Sequence, residues 1–385
     1  MTQHVNQLTA PPTTSARLFY IDNLRTALMA LVVIHHSVLA YSNIPNWYYL
    51  EPPTDASGTL LDIVIVLNQA FFMGAFFLIS ALFVPGSYDR KGAGPFMRER
   101  LLRLGVPLLL WLLAVRPLAT VGRYLKARDA AAQQGAELPY WEYYLQSFTP
   151  GPMWFVEVLF VFSALYVIWR LLTAEGRRAS APVLATGRAP GAVAIAGFTA
   201  GLALATYLWR IAVPMGESLL GLPSPAYLPQ YAALFVIGLI ATRRGWLGGL
   251  SRATGRIGFA TAAVAAVGLL FVLISAPEAS MGHGTTQSLL VATFETTLAV
   301  GVILGFLVLF RERLNHQGRR RRFLSEHAFT VYVIHPAVLV GLGYALRDVQ
   351  APAVAKGALL VALALPLCWA IAYLVRALPG ARKVL

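Results

Sequence analysis

Arg25 and His36 are the two side chains of the first apolar stretch that can do chemistry, and their spacing sets them on one line. Eleven residues at ~100° each make about three full helical turns, so the pair shares a helix face, roughly 16 Å apart along the axis. Asp22 falls within about 40° of that face, whereas His35 is turned ~100° away. An imidazole inside a membrane helix is costly, and it marks a functional site by default. Near neutral pH it can take a proton from a hydroxyl, most effectively with a carboxylate behind it. The plainer reading is an interhelical hydrogen bond that only holds a bundle together.

Other rare polar groups lie at similar depth in later stretches. Glu157 in PMWFVEVLF and Glu295 in VATFETTLAV are the carboxylates placed to back His36, and both are catalytic candidates. Tyr332 and His335 in FTVYVIHP are possible supporting residues, with His35 and Ser80. Pro336 follows His335 and frees a backbone carbonyl one turn back, so that histidine serves structure as readily as function. No metal site is expected, because HEXXH, paired cysteines and clustered carboxylates are all absent. There is no G-x-S-x-G elbow for a serine hydrolase and no phosphate-binding glycine loop.

The elements that must position these groups follow from composition. Of 385 residues, 57% are hydrophobic and only 12% charged, against roughly 25% in a soluble domain. The expected fold is all-α: a polytopic membrane bundle of about ten helices. The apolar stretches run near 24–43, 60–84, 101–121, 153–172, 191–211, 227–243, 257–276, 286–310, 324–346 and 354–378. Residues 1–16 read as a disordered polar tail, 17–379 as one membrane-embedded domain and 380–385 as a short basic tail. The first helix is expected to stay as an anchor, since no cleavage signal precedes it. The net charge of +14 invites a nucleic-acid reading, but cytoplasmic loops of membrane proteins gather Lys and Arg anyway. With both termini cytoplasmic, only Arg116, Arg123, Lys126, Arg128, Arg210, Arg347 and Lys356 of the 31 cations fall elsewhere. The expected site is the plasma (inner) membrane, with the lipid bilayer as partner and no nucleic acid. The lone Cys368 excludes an intrachain disulfide. In the long outer connection, Tyr140, Trp141, Tyr143 and Tyr144 form either an interfacial belt or a sugar-stacking surface.

One inner connection differs from the rest. In FMRERLLRLGVP, Arg98, Arg100 and Arg103 stand at the membrane face, where arginines could hold donor phosphates through charge-assisted bonds. Here the sequence resembles the acyltransferase-3 family of integral-membrane acyltransferases, over most of the chain. IDNLRTALMALVVIHH is similar to that family's first-helix motif, with Arg25 and His36 at its arginine–ten–histidine spacing. FFMGAFFLISALF resembles its FFxxSG stretch, with Ala81 in the glycine's place. FMRERLLRLGVPLLLW resembles its arginine-rich inner loop, with Glu99 where an arginine often stands. GPMWFVEVLF and LSEHAFTVYVIHP resemble later blocks.

The resemblance implies transfer of an acyl group, of the acetyl or succinyl class, from cytoplasmic acyl-CoA to a hydroxyl on the other face. It makes His36 the general base, Arg25 its motif partner, and Arg100 and Arg103 part of the CoA-binding loop. Acetyl-CoA or succinyl-CoA is then a donor substrate, no cofactor is permanently bound, and the acceptor is an extracytoplasmic carbohydrate or glycolipid. With the tenth apolar stretch near its end, the chain is expected to lack the extra hydrolase-like domain that some members carry. The rival class is a transporter or exporter using the same polar layer as a proton relay. A non-catalytic scaffold is a third reading, and it expects a tolerant His36.

Overall fold

The computed structural model describes residues 18–173, 187–219 and 221–385; the expected tail 1–16 lies outside them. The described residues form no β-strand. They build α1 (Phe19–Leu39) and nine segments long and apolar enough to cross a membrane. These are α2 (Gly58–Lys91), α3 (Ala93–Gln133), α4 (Tyr140–Leu172), α5 (Ala192–Ala212), α6 (Pro225–Arg244), α7 (Arg252–Ser275), α8 (Thr286–Arg313), α9 (Arg319–Ala345) and α10 (Ala353–Ala377). The bounds of α5 to α10 fall within about five residues of those expected. In that half of the chain the apolar runs are flanked by clear turn residues.

Helix α1 departs from expectation in a way that matters. It starts at Phe19 rather than near 24 and ends at Leu39 rather than 43. Its first turn is too polar for a lipid-facing helix, but α1 is interior, packed among α2, α8, α9 and α10. There the polar groups find protein partners. Asn23 Nδ2 donates to the carbonyls of Leu314 (2.6 Å) and His316 (3.1 Å), and Arg25 pairs with Asp22 at 3.3 Å. A helix surrounded by helices need not be apolar, because backbone and side-chain acceptors replace water. His36 accordingly stands in the last turn of α1, not seven residues inside its end.

Close backbone approach sets two further contacts. Gly258 on α7 lies against Gly301 on α8, where an added Cβ would stand 2.6 Å from the Gly301 carbonyl oxygen. Gly238 on α6 meets the Leu78 carbonyl of α2 in the same way, at 2.5 Å. Small residues at such crossings let helices approach in lipid, where apolar burial supplies no drive. Helix α3 is interrupted by π-turns at Leu101–Gly105 and Trp111–Val115. The hydroxyls of Tyr144 and Tyr140 donate to the carbonyls of Leu112 and Pro117, so these two aromatics brace α3; Trp141 remains exposed.

The loop from α1 to α2, residues 40–57, folds inward over the end of α1, burying Trp47, Tyr48 and Tyr49. Its edge is fastened by charge. Lys356 of α10 donates to Glu51 at 2.5 Å, and Asp62 accepts from both the backbone and the side chain of Asn43. Asp55 accepts from the amides of Ser57 (2.8 Å) and Ala353 (2.9 Å), capping α10 from outside. The Ser57 hydroxyl foremost, and then those amides, draw the Asp55 carboxyl below its ordinary 3.8.

Two outcomes follow for stability. Arg210 of α5 and Glu295 of α8 form a buried bidentate pair at 2.8 and 3.1 Å. Glu295→Ala strands the guanidinium, and the expected loss is about 3–5 kcal/mol. The double variant Arg210→Met/Glu295→Leu should regain most of it, as read by thermal unfolding in detergent. For Asp55 the folded carboxyl is the more acidic form, so its contribution is complete above the unfolded value and is lost as pH falls through the folded one. The thermal-midpoint gap between wild type and Asp55→Asn should therefore be constant from pH 8 to 5 and close as pH drops below 3.8.

Candidate active site

A cavity of about 1650 Å³ runs through the bundle, larger than the ~300–1,000 Å³ of ordinary small-molecule sites. One face of α1 forms a wall: Asp22, Arg25, Met29, Val32, His35, His36 and Leu39 all line it. The helical arithmetic for Arg25 and His36 thus describes a real surface, and His35 reaches it as well. The His35 ring stacks on Phe72 at 5.0 Å, and its Nδ1 is buried without a partner.

The two ends of the cavity differ in charge. At the α1 N-terminal end it is lined by Arg25, Arg90, Lys91, Arg100, Arg103, Arg311, Arg376 and Arg382. Asp22 and Glu99 are the acids among the described lining residues. Glu99 takes Lys91 and, at 3.4 Å, Arg103, so it orders two cations along the wall. Arg98, one of the three arginines singled out in the inner connection, is exposed and does not line the cavity. At the other end the wall is uncharged apart from Arg123, and it comprises Trp47, Tyr48, Thr149, Gly151, Pro152, Ser224 and Tyr332.

His36 lines this cavity, and its tautomer follows from its partners. Pro336 has no N–H, so the Tyr332 carbonyl lacks its helical donor. His335 Nδ1 lies 2.7 Å from that carbonyl oxygen, which can only accept, so Nδ1 carries the proton. His335 Nε2 is then a lone pair. It sits 3.2 Å from His36 Nδ1, which is also 3.0 Å from the Val32 carbonyl. Two acceptors converge on His36 Nδ1, so that nitrogen bears hydrogen and Nε2 keeps its lone pair, with no protein partner among the described residues. The Trp47 ring lies over His36, centroids 4.2 Å apart at 25°. The ring is fixed in tautomer and orientation, and it presents a base.

The carboxylates expected behind His36 lie elsewhere. Glu295 is taken by Arg210, and Glu157 stands in the first turn of the α4 stretch Trp154–Leu172 with Oε2 unpartnered; neither lines the cavity. His335 occupies the position a carboxylate was expected to fill. Ser80 is part of the wall. Tyr332 lines the cavity too, and its hydroxyl donates to the Pro152 carbonyl at 2.5 Å, tying α9 to the turn before α4. Sequence reasoning missed Trp47, Tyr48, Arg90, Arg311 and Arg376 as lining residues. Trp47-Tyr48-Tyr49 gave a faint signal, an aromatic run in a short connection. The cations at span ends were indistinguishable from ordinary topology signals. No group of three or more His, Cys, Asp or Glu suited to a metal occurs among the described residues.

A family model described as an acyltransferase domain matches residues 18–373, nearly the whole chain. No curated protein and no solved structure matches. The matched stretch contains Arg25, His36, Arg100, Arg103 and His335, and it spans from α1 into α10. A match of that extent settles the family: the chain belongs to the acyltransferase-3 family and is a membrane-embedded acyltransferase.

Proposed function

We propose that this acyltransferase moves an acetyl- or succinyl-class group from acyl-CoA, entering at the cationic end of the cavity, to a hydroxyl of a carbohydrate or glycolipid entering at the other. In this reading the cationic end faces the cytoplasm, as the positive-inside bias favours, and the protein sits in the plasma membrane. The observation that carries it is the free Nε2 of His36, on the wall of a cavity that meets both ends of the bundle.

The chemistry balances without another protein nucleophile. His36 Nε2 takes the proton of the acceptor hydroxyl as its oxygen attacks the thioester carbonyl. The C–S bond breaks, the CoA sulfur leaves as a thiolate, and the imidazolium returns the proton to it. An ester and free CoA thiol result. While the charge is on His36, Nδ1–H is shared by the Val32 carbonyl and the His335 Nε2 lone pair. Arg100 and Arg103 suit the donor phosphates, with Arg25 at the inner mouth held by Asp22.

His36→Ala and His36→Gln should each lower acyl transfer by roughly 10²–10⁴-fold while the protein still inserts. His335→Phe, which removes a charge-assisted bond of about 1.5–3 kcal/mol, should cost roughly 10–100-fold. Radiolabelled acetyl-CoA or succinyl-CoA supplied to inside-out vesicles provides the measurement, and full turnover by both His36 variants would discard the mechanism. On the donor side, Arg100→Ala and Arg103→Ala should raise KM for acyl-CoA several-fold with little change in kcat. Arg98→Ala should leave both constants near wild type; equal effects at all three positions would point to general surface charge instead.

A further inference from the structure

A second recess lies behind α1, away from the cavity that His36 lines. It measures about 470 Å³ and is bounded by α1, α9, α10 and the end of α8. On α1 its wall is Asn23, Thr26, Ala27 and Ala30. That i, i+3, i+4, i+7 set is one helix face, turned ~140° from the face that carries Arg25 and His36. From Asn23 to Ala30 the recess follows α1 for roughly 10 Å, about a third of the ~30 Å hydrocarbon thickness. Its rim includes Leu324 and Pro366, both exposed, and Leu363 and Leu367 beside Pro366 on α10 are exposed too. On a membrane-spanning bundle, such an apolar surface meets lipid.

The recess suits an alkyl chain and offers little to a polar solute. Ala27, Ala30, Leu314, Leu324, Leu365 and Pro366 supply its apolar wall. The polar side chains below the rim have their hydrogens committed within the protein. Asn23 Nδ2 donates to the Leu314 and His316 carbonyls, the Thr26 hydroxyl to the Asp22 carbonyl, and Trp369 Nε1 to the Leu324 carbonyl at 3.1 Å. Charge stands at one end. Arg321 lines the recess there, with Nη1 2.7 Å from His316 Nε2, which accepts because a guanidinium can only donate. Arg319 and Arg320 precede it, both exposed. Arg322 takes Glu326 at 2.8 Å, whereas Arg319, Arg320 and Arg321 have no carboxylate partner among the described residues. No acid lines the recess among those residues. Topology alone accounts for arginines at a span end. It does not account for an apolar slot running inward from one of them.

We infer that this recess holds one chain of an anionic phospholipid whose phosphate rests on Arg321. The chain lies along Ala27 and Ala30, and the phosphate meets the guanidinium at headgroup level through charge-assisted bonds. A choline headgroup fits the same slot but brings its own cation against Arg319, Arg320 and Arg321. The site is separate from the acyl-transfer cavity, since no residue lining the recess lines the cavity. Its occupant completes the packing of the helix that carries His36, from the side where Thr26, Ala27 and Ala30 are only half-buried.

Native mass spectrometry of the full-length protein reads the site directly. The protein is delipidated in detergent and titrated with phosphatidylglycerol or phosphatidylcholine of matched chains. Wild type should retain one phosphatidylglycerol more tightly than phosphatidylcholine, by roughly five- to tenfold. Arg321→Gln should bring that preference to within about twofold, since one arginine near a charged headgroup is worth roughly a factor of five. Ala30→Leu, which fills the recess from α1, should weaken both lipids alike. Arg313→Gln removes an exposed charge at the same end of the bundle, outside the recess, and should leave the preference intact. Equal affinity of wild type for the two lipids overturns the proposal, and so does an equal loss of preference in Arg313→Gln and Arg321→Gln, which would mean general surface charge. Undiminished binding by Ala30→Leu would place the lipid elsewhere, and a lipid-free dimer would give the recess to a second copy of the chain; either overturns it too. Should Ala30→Leu fail to fold, the comparison of Arg321→Gln with Arg313→Gln decides.

Discussion

The active-site geometry depends on a missing hydrogen. Pro336 withholds a backbone N–H from the Tyr332 carbonyl, and His335 fills the vacancy through Nδ1. That bond decides which nitrogen of His335 has the lone pair, which in turn decides that His36 donates through Nδ1 and keeps Nε2 open. Three links separate the proline from the base, and each is forced by what the groups can do: a carbonyl only accepts, a neutral imidazole has one donor and one acceptor. An arrangement with a carboxylate in place of His335 would also fix the tautomer. It would do so at the cost of burying an anion within the bundle, a much larger penalty than burying a second neutral ring.

The same economy of buried charge explains the division of the cavity. Its cations collect at one end, where Glu99 and Asp22 moderate them and where water can reach. Elsewhere in the bundle, Arg210 and Glu295 close on each other as a buried pair. The wall around His36 is aromatic and backbone-lined, so on the proposed function the donor's phosphates stay at the cationic end while the reacting carbonyl lies in a region of low polarity. Hydrogen bonds that are weak in water gain strength there. An acyl thioester and a neutral hydroxyl are the kind of reactants that can enter such a region without a large desolvation cost.

Much of this was legible before any coordinates. Lipid-crossing segments announce themselves by length and apolarity, which is why α5 to α10 lie close to their expected bounds. The shared face of Arg25 and His36 needed only the helical period. His335-Pro336 carried its own message in the covalent structure of proline. What the sequence could not reveal depended on interior neighbours. The apolar pattern starts helix α1 too late because Asp22 and Asn23 look unfit for lipid, and nothing in one chain's order shows that Leu314 and His316 supply the partners of Asn23. Glu295 looked like a free carboxylate at the right depth. Arg210, 85 positions earlier, had claimed it, and the only sequence hint was a lone arginine at the outer end of a span.

The loop after α1 shows why connections are the hardest part of such a site to read. Residues 40–57 carry few signals beyond turn-forming prolines and three aromatics, and a belt at the membrane surface is the usual home for aromatics in that position. Here the fastening points are scattered: Lys356 and Ala353 on α10, Asp62 on α2, Arg123 on α3. Once those four anchors are set, the loop can only turn inward, and Trp47 is pressed onto His36. The base is thus held from two sides by elements remote from each other in the chain, His335 within the ring plane and Trp47 above it. Loss of either leaves the other contact in place but frees one rotation of the imidazole. On the proposed function the loop therefore belongs to the catalytic apparatus as much as the helix that carries the histidine.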